Sequence, residues 1–166
     1  MQTRRVLLGA LAASLLAACA SSPAPDAQTI YLVRHAEKAS GDDPHLTLVG
    51  RARAEILAAE LADADLAAIY STNTRRTMET AAPTARATGL TVLPYDGNNL
   101  ETFANMLRAT PGNILVVGHS NTTPALVKAL RGKPGTPIVE ATEYDRLYVL
   151  TANGRRYRTE LRRYGN

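Results

Sequence analysis

Two histidines stand where apolar runs end. Thr29-Ile30-Tyr31-Leu32-Val33 leads into Arg34-His35, and Ile114-Leu115-Val116-Val117-Gly118 leads into His119. Two imidazoles with attendant arginines can form a metal-free pocket for a phosphoryl group. Guanidinium offers a planar fork of N–H donors that matches a phosphate face with two parallel hydrogen bonds. Phosphoryl transfer asks a protein mainly to position groups and to neutralise charge on the equatorial oxygens. Short runs rich in Ile, Tyr and Val, closed by sudden charge, read as buried parallel strands. Ligands of open α/β sheets bind just beyond the carboxyl ends of such strands, so both histidines fall where this fold class puts its chemistry.

The elements that must position them alternate along the chain. After the first strand a polar loop, 39–45, carries Gly41 and Pro44. Residues 50–62 place Ala54, Leu57, Ala58 and Leu61 on one stripe, the spacing of an amphipathic helix. Strands are expected at 66–70 and 90–93. Between them a helix over 77–87 ends at Gly89, with Pro83 inside the pattern predicting a kink or a late start. Leu100, Phe103, Ala104 and Leu107 mark another helix, and Pro111-Gly112 turns into the second histidine strand. Pro124 opens a helix over 125–130, a favoured first-turn position for proline. Residues 146–150 and 157–161, split by Asn153-Gly154, form a terminal β-hairpin. Alternating strands and helices predict a three-layer α/β/α sandwich around a mostly parallel sheet.

Four motifs in order carry a resemblance. Leu32-Val33-Arg34-His35-Ala36-Glu37-Lys38 stands near the start and Val117-Gly118-His119-Ser120-Asn121 near the end. Between them lie Leu46-Thr47-Leu48-Val49-Gly50 and the run from Tyr70 to Ala81, Tyr-Ser-Thr-Asn-Thr-Arg-Arg-Thr-Met-Glu-Thr-Ala. In order and spacing the chain resembles the histidine phosphatase superfamily, the phosphoglycerate mutase-like enzymes, over nearly all of its length after the leader. The Arg-His-Ala-Glu form is similar to that of the small phosphohistidine phosphatases in that superfamily.

The resemblance implies that His35 attacks phosphorus and becomes a phosphohistidine, which water then hydrolyses. The attacking nitrogen must be unprotonated, so the other ring nitrogen should donate to a fixed acceptor, such as a backbone carbonyl, that the sequence does not identify. Arg34, Arg76 and His119 would surround the phosphoryl oxygens, with no metal and no cofactor required. The family pattern places Ser or Thr four residues before its arginine and Thr-Ala four and five after it. Thr72, Thr80 and Ala81 fit that pattern around Arg76 better than their neighbours fit it around Arg75, which reads as a solvent-facing helix start. For the acid that protonates the leaving oxygen, Asp96 follows a strand directly and is preferred to Glu101, which falls in a helical pattern. Thr72 either bonds within the pocket or caps the next helix. Asn121 and Thr122 either meet an anion or cap their helix. Glu37 and Lys38 either touch the leaving group or pair outside it. Glu143-Tyr144-Asp145 either lines the cleft mouth or makes a turn, and His45 reads as solvated.

The first residues form a leader rather than part of the fold. Arg4-Arg5 precedes an uncharged Ala/Leu-rich run to Ala18, shorter than the roughly 20 residues a spanning helix needs. Leu16-Ala17-Ala18-Cys19 resembles a bacterial lipobox, cleaved before a cysteine that becomes lipid-modified; Cys19 is the single cysteine in the chain, so no internal disulfide exists. The expected organisation is a signal peptide at 1–18, a tether at 19–28 and a catalytic domain at 29–166. Ala20 after the cysteine implies outer-membrane sorting, facing the periplasm of a bacterial envelope. The formal charge of +4 includes both leader arginines, leaving a modest balance that gives no reason to expect a nucleic-acid partner. The arginines from 155 to 163 read as a solvated edge strand, with an anionic lipid face as the other reading. The resulting expectation is a metal-independent phosphomonoesterase acting on a small phosphorylated substrate. A phosphosugar or phosphoglycerate mutase and a non-catalytic phosphate-binding lipoprotein are the alternatives.

Overall fold

The computed structural model describes residues 28–154 and 156–165; Cys19 and its lipobox lie outside them. In chain order the elements are β1 (Thr29–Arg34), α1 (Leu48–Glu60), β2 (Leu66–Ser71), α2 (Arg75–Thr88) and β3 (Val92–Pro94). They continue with α3 (Leu100–Ala109), β4 (Asn113–Gly118), α4 (Thr122–Ala129), β5 (Arg146–Asn153) and β6 (Arg156–Arg163). The strands form one sheet in the order β3-β2-β4-β1-β5-β6. β1 to β4 pair in parallel, whereas β5 joins β1 antiparallel and β6 closes the edge antiparallel to β5.

Alternation along the strands builds two cores. Ile30, Leu32, Ile114 and Val116 face one way and pack with Phe103, Leu107, Leu126 and Val127 from α3 and α4. Val33, Leu115 and Val117 face the other way, against Leu57 and Leu61 at the end of α1 and Ala81 from α2. The chain is therefore a three-layer α/β/α sandwich with a largely parallel sheet. Both histidine strands lie side by side at its centre, with Arg34 opposite Gly118 in register.

Helix boundaries differ from the sequence expectation in informative ways. α1 begins at Leu48 because Thr47 caps it, its hydroxyl accepting from the Gly50 N–H at 3.1 Å. α2 starts at Arg75, ahead of the expected position, so Pro83 lies well inside it. Burial of Thr77, Thr80, Ala81, Pro83 and Thr84 on one face offsets the hydrogen bond that proline removes. α4 starts at Thr122, which puts Pro124 in the first turn, where its missing N–H costs little. The hairpin strands run longer than expected, and β6 is an exposed edge carrying arginines.

Gln28 fixes the entry to β1. Its carbonyl accepts from Ala152 N–H at 2.8 Å, and its amide donates to the carbonyls of Leu107 and Thr110. This end of β1 is opposite the end that carries His35.

Candidate active site

Loops beyond the carboxyl ends of β1, β2, β3 and β4 meet in one cleft of about 940 Å³. His35, Arg76, Asp96 and His119 line it together with Thr72, Tyr95 and Lys38. The sheet's hydrogen bonding continues into these loops and sets their spacing. His35 N–H donates to the Gly118 carbonyl at 2.9 Å, Thr72 N–H to that of Val117 at 3.3 Å, and Tyr95 N–H to that of Ser71 at 3.0 Å.

The histidine-bearing turns are held by residues of the sequence motifs. Thr80 accepts from Ala36 N–H at 3.0 Å and donates to the Arg76 carbonyl at 2.7 Å, which ties the His35 turn to α2. Gly50 lets α1 approach the same turn, since a Cβ there would lie 2.1 Å from the Glu37 carbonyl oxygen. Gly118 has a similar role beside His119. A Cβ at that position would meet the Tyr95 hydroxyl at 2.7 Å and the Thr122 and Thr123 hydroxyls at 2.9 Å.

His35 is buried, and its Nδ1 lies 2.7 Å from the Ala36 carbonyl oxygen. Carbonyl oxygen only accepts, so Nδ1 carries hydrogen. Burial, helped by Arg34, His119 and Arg76, lowers the ring's pKa to about 3. The neutral ring thus keeps its lone pair on Nε2. His119 meets it edge-on with 5.5 Å between ring centroids, and burial beside Arg76 and Arg34 lowers its pKa to about 4.

Thr72 resolves in favour of the pocket: its hydroxyl oxygen is 2.9 Å from His119 Nε2 and 3.1 Å from the Thr77 hydroxyl. Thr77 can donate to the Thr72 carbonyl at 2.7 Å. This order lets Thr72 donate to Thr77 and accept from His119 Nε2–H. The cap position of α2 falls instead on Thr74, whose side chain makes no capping bond.

Arg34 is 1% exposed, with Nη1 donating to the Glu143 carbonyl at 3.0 Å and Cζ 4.1 Å from the Tyr144 ring centroid. Its Nε and Nη2 are buried without a partner, as is Nε of Arg76. Buried N–H donors left unmade are costly unless something accepts from them. An oxyanion is the matching acceptor. Burial lowers the Arg34 pKa from its usual value. The adjacent arginines separate clearly. Arg76 lines the cleft, with Nη1 3.5 Å from Asp43, whereas Arg75 is solvent-facing and its backbone N–H donates to Asp43 at 2.9 Å.

Asp96 lines the cleft, and its Oδ1 accepts from Asn98 N–H at 2.9 Å; Glu101 is exposed on the first turn of α3 and does not line the cleft. Glu37 is turned away from the cleft into a forked pair with Arg53 Nε at 2.9 and 3.0 Å, while Lys38 lines the cleft. Asn121 caps α4, accepting from Thr122 N–H at 2.9 Å, and Thr122 in turn accepts from His119 N–H at 2.9 Å. His45 is exposed, as expected, and also pairs with Glu79, whose other oxygen accepts from Leu46 N–H at 2.8 Å.

Glu140, Asn73 and Asn98 also line the cleft and were not singled out by sequence. Glu140 lies in an irregular segment with no periodicity or motif to mark it. Among the described residues, no group of three or more His, Cys, Asp or Glu side chains could hold a metal ion. No helix among them is long and apolar enough to cross a membrane.

Comparison with known proteins gives a consistent picture. The family model of the histidine phosphatase superfamily, branch 1, matches residues 30–97. The SixA protein of Agrobacterium tumefaciens, assigned as a phosphohistidine phosphatase, is 28% identical with a TM-score of 0.62, covering 86% of this chain and 98% of its own. A mycobacterial glucosyl-3-phosphoglycerate phosphatase superposes with a TM-score of 0.63 at 16% identity, covering 83% of this chain and 98% of its own. The protein histidine phosphatase SixA complexed with tungstate gives 0.66 at 15% identity, over 82% of this chain and 96% of that one. These last two likenesses speak to the fold. No curated protein sequence matches.

Proposed function

We propose that the chain is a histidine phosphatase, hydrolysing a small phosphomonoester through a phosphohistidine formed on His35; the family model over residues 30–97 and the likeness to the Agrobacterium protein support this reading. The observation that carries this reading is a neutral His35 imidazole and an unpartnered Arg76 Nε–H at one cleft, with further unpartnered N–H groups on Arg34, which is buried beneath the lining residues. His35 Nε2 attacks phosphorus in line, and the P–O bond to the leaving alcohol breaks. Asp96 supplies the proton that the alkoxide takes. Water then attacks the phosphohistidine, with the Asp96 carboxylate accepting its proton, and inorganic phosphate leaves. Arg34 and Arg76 bear the charge of the equatorial oxygens, work that metal ions share in kinases, and His119 adds its single N–H, at Nε2, which exchanges the Thr72 hydroxyl for a phosphoryl oxygen.

The polar rim of Asn73, Asn98 and Asn121 supports a small hydroxylated leaving group. Release of phosphate from p-nitrophenyl phosphate in the presence of chelator tests the reaction. Quenching during turnover with denaturant at alkaline pH, where a phosphoramidate P–N bond survives, should trap one phosphoryl group on His35, and a protein with His35→Ala should carry none. Failure to trap any phosphoenzyme in an active preparation would refute the covalent route.

The catalytic domain is taken to span 29–166, behind a signal peptide at 1–18 and a tether at 19–28. The Leu-Ala-Ala-Cys run supports lipid attachment at Cys19 and a place at the bacterial outer membrane, facing the periplasm. Labelled fatty acid should enter the wild-type protein and not the Cys19→Ser variant.

A further inference from the structure

From 130 to 145 the chain has neither helix nor strand, yet this segment supplies two of the groups that touch Arg34. Its fastening point is Arg146, the first residue of β5, which is 4% exposed. Arg146 Nη2 donates to both carboxylate oxygens of Glu143, at 2.8 and 2.7 Å, and Nε donates to one of them at 3.1 Å. Nη1 reaches back along the segment to the Thr136 carbonyl at 2.7 Å and to the Tyr148 hydroxyl at 3.2 Å. The Glu143 carboxylate also accepts from Val139 N–H at 2.7 Å. One buried guanidinium therefore ties the middle of the irregular segment, at Thr136, to its end, at Glu143.

The gathered segment faces the catalytic arginine. The Glu143 carbonyl takes a hydrogen bond from Arg34 Nη1 at 3.0 Å, and the Tyr144 ring lies 4.1 Å from Arg34 Cζ. An acceptor on Nη1 and a ring against the guanidinium plane together fix both tilt and rotation of the fork. The atoms left over, Nε and Nη2, form one edge of the guanidinium and are those without a partner. That edge is suited to grip two oxygens at once.

We infer that Arg146 is a positioning residue for phosphoryl binding: through Glu143 and Tyr144 it aims the Nε/Nη2 edge of Arg34. The inference rests on reading Arg34 as a phosphate ligand. Arg163 also donates to Glu143, at 2.9 Å, but lysine at 146 cannot reproduce a fork that reaches Glu143 and Thr136 together, so Arg146→Lys loosens the segment.

A double-mutant cycle with Arg34→Lys tests it, read in kcat/KM for p-nitrophenyl phosphate, inhibition by inorganic phosphate, and thermal midpoint. Arg146→Lys alone should lower kcat/KM by roughly 10–10²-fold, the scale of a displaced catalytic group, and weaken phosphate inhibition. In the Arg34→Lys background it should lower the thermal midpoint as before while costing little further activity. Losses that multiply in full would overturn the inference. Tyr144→Leu leaves the Arg146 bonds intact and serves if Arg146→Lys does not fold. It should weaken phosphate inhibition without moving the thermal midpoint, and unchanged inhibition would overturn the inference. If Arg34→Lys itself retains full activity and phosphate inhibition, the phosphate-ligand reading fails, and this inference with it.

Discussion

The His35 ring donates from Nδ1 to the carbonyl oxygen of Ala36, its own sequence neighbour, at 2.7 Å. A bond so local fixes the tautomer without help from any distant element. It leaves Nε2 as the ring's only lone pair. Burial then favours the neutral ring, with pKa lowered to about 3, and His119 follows at about 4.

Both imidazoles should therefore be uncharged at pH 6 in the free protein. Nitrogen-detected NMR should show no protonation of either ring above roughly pH 5; a His35 midpoint near the ordinary value of about 6.5 would overturn the assignment. The linkage has a definite sign. The unfolded chain takes up these protons as pH falls through about 6.5, while the native state waits until about pH 3–4. Stability should thus fall with pH across that window, by at most about 1.4 kcal/mol per pH unit for each ring. Urea unfolding at several pH values, compared with a His35→Asn variant, measures the slope.

Arg76 and Arg75 are adjacent in sequence and opposite in role. Arg76→Ala should cost roughly 10²–10³ in kcat, the scale of one lost oxyanion donor. Arg75→Ala should leave turnover within about twofold, since surface substitutions rarely matter. Steady-state kinetics on the two variants decides, and equal losses would reject the distinction.

Asp96 as proton donor should matter only when the leaving group needs a proton. Asp96→Asn is expected to slow an alkyl phosphate by roughly 10²–10⁴ and p-nitrophenyl phosphate far less. Glu101→Gln should slow neither. Equal effects of Asp96→Asn on the two substrates would move the acid elsewhere, with Glu140 the other carboxylate lining the cleft.

Gly118→Ala places a methyl against three hydroxyls within 3 Å. Overpacking of this kind costs roughly 1–3 kcal/mol, and here it would also displace the turn that carries His119. The variant should lose both thermal stability and turnover. A full-activity Gly118→Ala protein would show that Tyr95 and Thr122 give way freely.

Strand ends were the most legible part of the sequence. His35 and His119 follow unbroken apolar runs, and the alternation that builds the two cores is visible in β1 and β4. The start of α2 was less so, because Thr74, Arg75 and Arg76 carry no apolar stripe and the buried face is made largely of threonines. Ala36 as acceptor could not be read, since a main-chain carbonyl leaves no mark in residue type. Nor could Glu140 or the Arg146 network. Arg34 and Glu143 lie 109 residues apart, and the segment joining α4 to β5 has no periodicity to place it. Thr72 fits a helix cap and a pocket hydroxyl equally well by residue type, and only its 2.9 Å approach to His119 Nε2 distinguishes the two.

Gln28 and His35 stand at opposite rims of the sheet, separated by the six residues of β1, or about 20 Å. The chain therefore enters the sheet at the rim remote from the cleft, and the six residues of β1 carry it to the mouth. A soluble ester would arrive from the open side, and phosphate would depart the same way.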